Sequence, residues 1–219
     1  MIRFMGVNRR REGMALEEFS RYWSTTHADI VLEFADSGAL RGYIQNHRLA
    51  ADSEIHSDWD GSPELFIKDA ASFEKMVASD RFKYAVEVDS PAFMQMPPVA
   101  FRVEQALLAG SNSRLDLSGK IKLMLFVKNP AGGLADELMG KWNSVARPLF
   151  FSSGAPLRIE RLTADSAADF GPPAFYGVES SWWNSTDDLL AAWRDKNSLF
   201  SQHDIEVLLA AERVMLSPD

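Results

Sequence analysis

The sequence predicts an α+β protein made of two copies of one βαββαβ module, on three observations. First, the chain repeats itself. Ile2-Arg3-Phe4-Met5 returns as Ile121-Lys122-Leu123-Met124, and at that offset Gly13 meets Gly132, Glu17 meets Asp136, Glu18 meets Glu137, Phe19 meets Leu138 and Trp23 meets Trp142. Three residues then drop out and a second register holds, with Tyr43 on Ile159, Gly61 on Gly177, Phe66 on Trp182 and Phe73 on Leu189. Two long ungapped blocks in one order mark an internal repeat. Second, alternating segments and segments of helical period follow one another as strand, helix, strand, strand, helix, strand. Third, the small polar stretch Gly110-Ser111-Asn112-Ser113 separates the copies. The expected organisation is a first module over 1–109, a linker over 110–118 and a second, degenerate module over 119–219.

Each element has its own signal. Residues 2–8 alternate as a strand. Residues 15–35 read as a helix, with Leu16, Phe19, Trp23 and His27 on one stripe at spacings of three and four. Residues 41–49 read as extended, placing Tyr43, Gln45 and His47 on one face and Ile44 and Asn46 on the other. Trp59-Asp60-Gly61 is turn chemistry, and residues 64–68 form the next strand. A helix over about 71–79 and a strand over 99–107 complete the module. This order is the ferredoxin-like split motif, an antiparallel sheet with helices on one face. A second copy lets two sheets pack face to face as an intrachain pseudo-dimeric α/β barrel, whose lined interior is the expected place for a small ligand.

Composition narrows the function. The 219 residues are 46% hydrophobic and 25% charged, ordinary for a globular chain, and contain no cysteine. Disulfides, thiolate nucleophiles and cysteine-bound metals are therefore excluded. The formal charge is −8, and the one basic run, Arg9-Arg10-Arg11, meets Glu12 at once. Nucleic acid is not an expected partner, because binding phosphates needs a cationic footprint. No apolar run approaches the roughly 20 residues that span a bilayer, and none of signal-peptide length opens the sequence. The expectation is a cytoplasmic protein without a membrane partner. No G-x-G-x-x-G, Walker lysine loop or G-x-S-x-G elbow is present, which disfavours nucleotide cofactors and serine hydrolase chemistry.

The residues Arg9-Arg10, Gly13, Glu18-Phe19, Tyr22-Trp23 and His27-Ala28 carry a family likeness. It continues through Tyr43-Ile44-Gln45-Asn46-His47, Asp60-Gly61 and Glu64-Leu65-Phe66, and ends near Asp89, Pro91 and Phe93. This pattern resembles the EthD-like family of the dimeric α/β-barrel superfamily, over most of residues 1–107. The resemblance implies a barrel normally made by two chains, here supplied by one, so a monomer and a homodimer are both compatible. It also implies kinship with cofactor-independent cyclases, dehydratases, decarboxylases and monooxygenases for aromatic or polyketide-like molecules, and with heme-handling enzymes.

Three titratable groups are the catalytic candidates. Taken alone, His27 reads as a core histidine with satisfied ring nitrogens; against a cavity it would be a general acid/base, since imidazole titrates near neutrality. His47 closes the second strand and Glu64 lies in the third. If they share a face they would form a hydrogen-bonded pair that fixes a tautomer; otherwise His47 lies at a solvent rim and Glu64 is a sheet-edge charge. In the internal alignment His27 falls on Ala146, His47 on Thr163 and Glu64 on Ser180, none of which titrates near neutrality. Either the first half alone carries a site, or the second has simply drifted. A metal held by His27, His47 and Glu64 has none of the usual H-x-H, H-x3-H or H-E-x-x-H spacings, so no metal is expected. Tyr43, Trp59, Trp23 and Phe66 are the candidate substrate contacts. The expected function is a cofactor-independent enzyme of lyase, cyclase, dehydratase or decarboxylase type. It would act on a small hydrophobic, aromatic or polyketide-like compound by histidine acid/base catalysis. The alternatives are a monooxygenase or heme-binding relative, and a non-enzymatic binding protein.

Overall fold

The computed structural model describes residues 1–50, 54–110, 117–128, 156–165, 174–194 and 205–218, with the side chains of 105–110 excepted. Four strands belong to the first half: β1 (Ile2–Val7), β2 (Leu40–Arg48), β3 (Gly61–Ile67) and β4 (Val99–Gly110). Strand β3 lies between β1 and β2 and is antiparallel to both, with Met5 opposite Glu64 and Ile44 also opposite Glu64. The other edge of β1 pairs with β4, Met5 facing Phe101. Directly opposed residues share a face. One face therefore carries Phe4, Tyr43, Gln45, His47, Pro63 and Leu65, and the other carries Arg3, Met5, Ile44, Asn46, Glu64 and Phe66.

The helix expected over 15–35 is interrupted. Helix α1 (Leu16–Tyr22) passes into a π-helical turn, Trp23–His27, and then into α2 (Ala28–Asp36). The Thr25 hydroxyl donates to the Arg21 carbonyl at 2.8 Å and the Ser24 hydroxyl to the same oxygen at 3.3 Å. Side chains that take a backbone acceptor in this way loosen the i→i−4 ladder. The chain leaves α2 through Gly38, whose φ of +69° is the left-handed conformation that ends helices.

Helix α3 (Ala70–Ala78) matches the second expected helix and is capped by Asp69, which accepts from the Ser72 amide at 2.7 Å. Beyond it the sequence reading foresaw nothing before residue 99. The chain instead makes a π-helical turn at Phe82–Val86, the short α4 (Glu87–Asp89) and a 3-10 turn at Ser90–Ala92. These helices cover the Phe4–Tyr43 face. One core cluster joins Phe4, Ala28, Phe34, Leu40, Tyr43, Ile67 and Met76, and a second joins Met14, Phe19, Trp23, Phe93 and Met94.

The second half supplies β5 (Ile121–Lys128), β6 (Arg158–Ala164), β7 (Phe175–Trp183), α5 (Thr186–Arg194) and β8 (Ile205–Leu216). Here β7 lies between β5 and β6, and β5 also pairs with β8. Its register follows the first half: Ile121 opposes Trp183 as Ile2 opposes Ile67, and Ile159 opposes Ser181 as Tyr43 opposes Leu65. Taken separately, the strands of the first half run in the order β4-β1-β3-β2 and those of the second β8-β5-β7-β6, antiparallel at each of these pairings. By contact the chain divides into one compact unit of 1–50, 59–103 and 212–219 and another of 51–58 and 104–211. The divisions fall inside the long strands β4 and β8. Of the linker expected over 110–118, Gly110 ends β4 and residues 111–116 lie outside the described residues. Trp142, Ala146 and His203 lie outside them too. No helix among the described residues is long and apolar enough to cross a membrane.

Candidate functional site

The π-helical turn between α1 and α2 places Trp23 and His27, both buried, toward the sheet. Between that turn, the remaining helices and the Phe4–Tyr43 face of the sheet lies a cavity of about 460 Å³. Its walls are mostly apolar, with Phe4, Val31, Phe34, Leu65, Phe73 and Met76 among them, and His27, Tyr43, Asn8, Ser90 and Glu87 as the polar groups. All of its lining residues belong to the first unit. The expected ligand position was the side of the sheet away from the helices. His27 does not look there, because a side chain on a helix packed against a sheet faces the gap between them.

His27 is 7% exposed, and its Nδ1 donates to Asp89 Oδ2 at 2.8 Å. The Tyr22 hydroxyl donates to the other Asp89 oxygen at 2.6 Å. The Phe93 ring backs the imidazole with centroids 4.7 Å apart. Asp89 thus fixes the Nδ1–H tautomer, leaving Nε2 as the nitrogen available to a cavity occupant. Burial pulls the His27 pKa below its usual 6.5, with the hydrogen bond and charge of Asp89 acting against it. The same hydrogen bond pushes the Tyr22 phenol up to about 12. Neutral imidazole with one nitrogen anchored on a carboxylate is the arrangement of a general base whose charged form is stabilised once it takes a proton.

Trp23 and Tyr43 also line the cavity. Trp23 Nε1 donates to the Tyr43 hydroxyl at 3.0 Å. The Gln45 amide nitrogen donates to the same hydroxyl at 2.7 Å and to the Trp23 carbonyl at 2.9 Å. Burial raises the Tyr43 pKa, so the phenol stays neutral. The indole ring needs the bare backbone of Gly61, where an added Cβ would fall 2.4 Å from Trp23 Cζ3.

The other sequence candidates take different places. His47 shares the face with Tyr43 and Gln45, but both its nitrogens are engaged: Nδ1 with Ser20 Oγ at 2.8 Å and Nε2 with Gln45 Oε1 at 2.9 Å. Its ring lies 4.6 Å from that of Trp23, it is 3% exposed, and burial with the nearby Arg213 charge drives its pKa down to about 3. The solvent-rim reading of His47 is thereby overturned, and it does not line the cavity. Glu64 is not its partner. The register sets Glu64 beside Ile44 and Met5 on the opposite face, where it accepts from Arg3 at 2.6 Å and from Asn46 at 2.9 Å. Phe66 lies on that face as well, with the Arg3 guanidinium 5.1 Å from its ring centre. Trp59 lies under the Arg9 guanidinium at 4.4 Å, away from the cavity lining. Asp89, the residue that organises His27, was missed as a site residue although the family likeness ran through it. Among the described residues no three His, Asp or Glu side chains gather as metal ligands.

Residues 11–97 match the model of the EthD domain family. A search of curated proteins found no match. Solved structures of similar fold include an anthrone oxidase-like protein, at 11% identity and a TM-score of 0.57 over 100% of this chain and 94% of that chain. Another is a candidate monooxygenase from Fusobacterium nucleatum, at 9% identity and 0.51 over 97% and 93%. A candidate chlorite dismutase gives 11% identity and 0.51 over 97% and 96%. At these identities the likeness is one of fold.

Proposed function

We propose, from the premise that the chain carries an EthD domain over residues 11–97, that it is a proton-transfer enzyme for a small, largely apolar molecule. The observation that carries this reading is His27: buried, anchored through Nδ1 on Asp89, and lining a largely apolar cavity. Nε2 takes a proton from an acidic carbon of the bound molecule, and the imidazolium formed is stabilised by the Asp89 carboxylate. Returning that proton to another carbon gives an isomerase, delivering it to a hydroxyl that leaves as water gives a lyase, and delivering it to the alkoxide formed when the carbanion attacks a carbonyl carbon of the same molecule gives a cyclase. Tyr22 holds Asp89 in place and touches no substrate.

The test is carbon-bound hydrogen exchange. Aryl ketones and polyketide-like phenols are incubated in D2O with the protein, and deuterium uptake is read by mass spectrometry. Uptake that the protein accelerates and that His27→Gln abolishes supports the reading; uptake equal in both proteins removes it. Tight binding that His27→Gln leaves intact, without any exchange, would mark a carrier instead.

The names of two neighbours, oxidase-like and monooxygenase, suit an oxygen-consuming version of the same step, in which the carbanion left behind meets dioxygen. Oxygen uptake in an electrode cell separates the two. Heme suits this cavity poorly. Among the described residues no lysine or arginine lines it to meet propionate groups, and its wall already holds the Glu87 carboxylate. A Soret band after heme addition would reverse that judgement.

The two units are, on this reading, tandem copies of one ferredoxin-like module. What supports it is the shared pairing register, which the two sequence offsets anticipate at both strand pairs.

A further inference from the structure

The Tyr43 hydroxyl lies between two groups that can only donate. One is the Trp23 indole N–H at 3.0 Å and the other the Gln45 amide nitrogen at 2.7 Å. Neither an indole nitrogen nor a carboxamide nitrogen accepts a hydrogen bond. The orientation of the Gln45 amide is fixed by its other neighbours. Its nitrogen meets the Trp23 carbonyl, an acceptor only, and its oxygen meets His47 Nε2. Turning the amide over would set carbonyl oxygen against carbonyl oxygen. His47 accordingly carries its proton on Nε2 and accepts from Ser20 at Nδ1. This chain of assignments fills both lone pairs of the phenol oxygen and leaves its own hydrogen to be donated elsewhere.

No acceptor for that hydrogen is present among the described residues. Tyr43 is 1% exposed, yet it lines the cavity. A buried donor left over after such a closed set of partners is unfavourable unless something arrives to accept from it. The wall around it is apolar, with Phe4, Val31 and Leu40 in it.

We propose that the Tyr43 hydroxyl is a hydrogen-bond donor held ready for an oxygen of the ligand. The ligand class is then an otherwise apolar molecule bearing a carbonyl or phenolic oxygen. The proposal rests on reading this cavity as the ligand site. It also supplies the second half of the chemistry. When His27 Nε2 takes a proton from the carbon beside the carbonyl, the C–H electron pair becomes the C=C bond of an enolate. The carbonyl π pair moves onto the oxygen facing the Tyr43 O–H, and a preorganised donor there stabilises that charge. Protonation by the imidazolium closes the cycle, with no other reactant consumed. Base and donor come from opposite walls, His27 from the helix and Tyr43 from the sheet.

Two probes of nearly equal shape test it: 2-acetylnaphthalene, which can only accept, and 2-ethylnaphthalene, which can do neither. Both are titrated by fluorescence into the wild-type protein and Tyr43→Phe, and the ketone's carbonyl stretch is read by infrared difference spectroscopy. The expected result is that Tyr43→Phe weakens the ketone by about three- to tenfold relative to the hydrocarbon. The bound carbonyl band should move to lower frequency in the wild type and in His27→Gln, but not in Tyr43→Phe. Retained hydrocarbon affinity shows that the variant keeps its cavity, and the wild-type band needs no variant at all. If the wild type binds both probes alike and the band does not move, a water satisfies Tyr43 and the donor role falls while the cavity reading stands. If the wild type binds neither, the cavity reading falls and takes this proposal with it.

Discussion

Asp89 and His27, 62 positions apart in sequence, are joined carboxylate to imidazole at 2.8 Å, and Tyr22 holds the far oxygen of the same carboxylate at 2.6 Å. The pair ties the π-helical turn after α1 to the short α4. The state of one ring nitrogen thus depends on a residue that no periodic pattern in its own helix announces.

Replacing Asp89 by asparagine tests that dependence. The Tyr22 hydroxyl draws the amide oxygen, the amide nitrogen turns to His27 Nδ1, and the imidazole proton moves to Nε2. Long-range ¹⁵N–¹H spectra should show the Nδ1–H tautomer in the wild type and Nε2–H in Asp89→Asn. Turnover should fall by roughly 10²- to 10⁴-fold, as when a general base is lost. An unchanged tautomer and rate would mean that Asp89 is only packing.

Acid should weaken the fold through its buried histidines. The His47 pKa falls from 6.5 to about 3 on folding, and that of His27 falls as well, burial being the leading cause for both. Below 6.5 the unfolded chain takes up protons that the folded one refuses. The stability is therefore complete above about pH 6.5 and is lost as pH falls toward 3, by at most about 1.4 kcal/mol per pH unit from His47. Urea midpoints between pH 7 and 5 should show this slope, and His47→Gln should flatten it. The neutral form of His27 persists below pH 6.5, so the acid limb of the rate profile should also lie below that value.

A methyl group at Gly61 should disturb Trp23. The Cβ of Gly61→Ala falls 2.4 Å from Trp23 Cζ3, so the indole must shift and its hydrogen bond to Tyr43 must lengthen. A loss of about 1–3 kcal/mol in denaturant unfolding is expected, with an altered tryptophan emission in the folded state. Wild-type stability in that variant would show that the ring relaxes freely.

Glu64→Gln should cost stability and spare chemistry. The amide still offers an oxygen to the buried Arg3 guanidinium but removes the opposing charge 2.6 Å away, a change that costs up to about 3–5 kcal/mol. Turnover per folded molecule should stay at the wild-type level, in contrast to His27→Gln. Lost turnover at full stability would restore Glu64 as a catalytic group.

Much of the scaffold was legible because it rests on period. The alternation of Tyr43, Gln45 and His47 and the capped stretch at 70–78 lie close to where the pattern put them. What stayed hidden depends on pairing and on irregular backbone. Glu64 and His47 seemed neighbours because nothing in one strand says how the next will slide along it. The register opposes Ile44 to Glu64 and so sends the carboxylate through the sheet. Asp89 stayed hidden because π-helical and 3-10 turns around Pro91 have no repeat of 3.6 residues. The interruption at Trp23–His27 was invisible for the same reason, although Leu16, Phe19, Trp23 and His27 still share a stripe.

The ion pair between Arg3 and Glu64 is also a key to alignment. Sliding β1 by one residue against β3 would carry the guanidinium to the helix-covered face and abandon a carboxylate in an enclosed place, while sliding by two would pull the charges apart. Misaligned zippering of these strands therefore carries an electrostatic penalty that apolar residues alone would not impose. A buried ion pair away from the cavity lining thus favours one alignment of β1 and β3 over its neighbours.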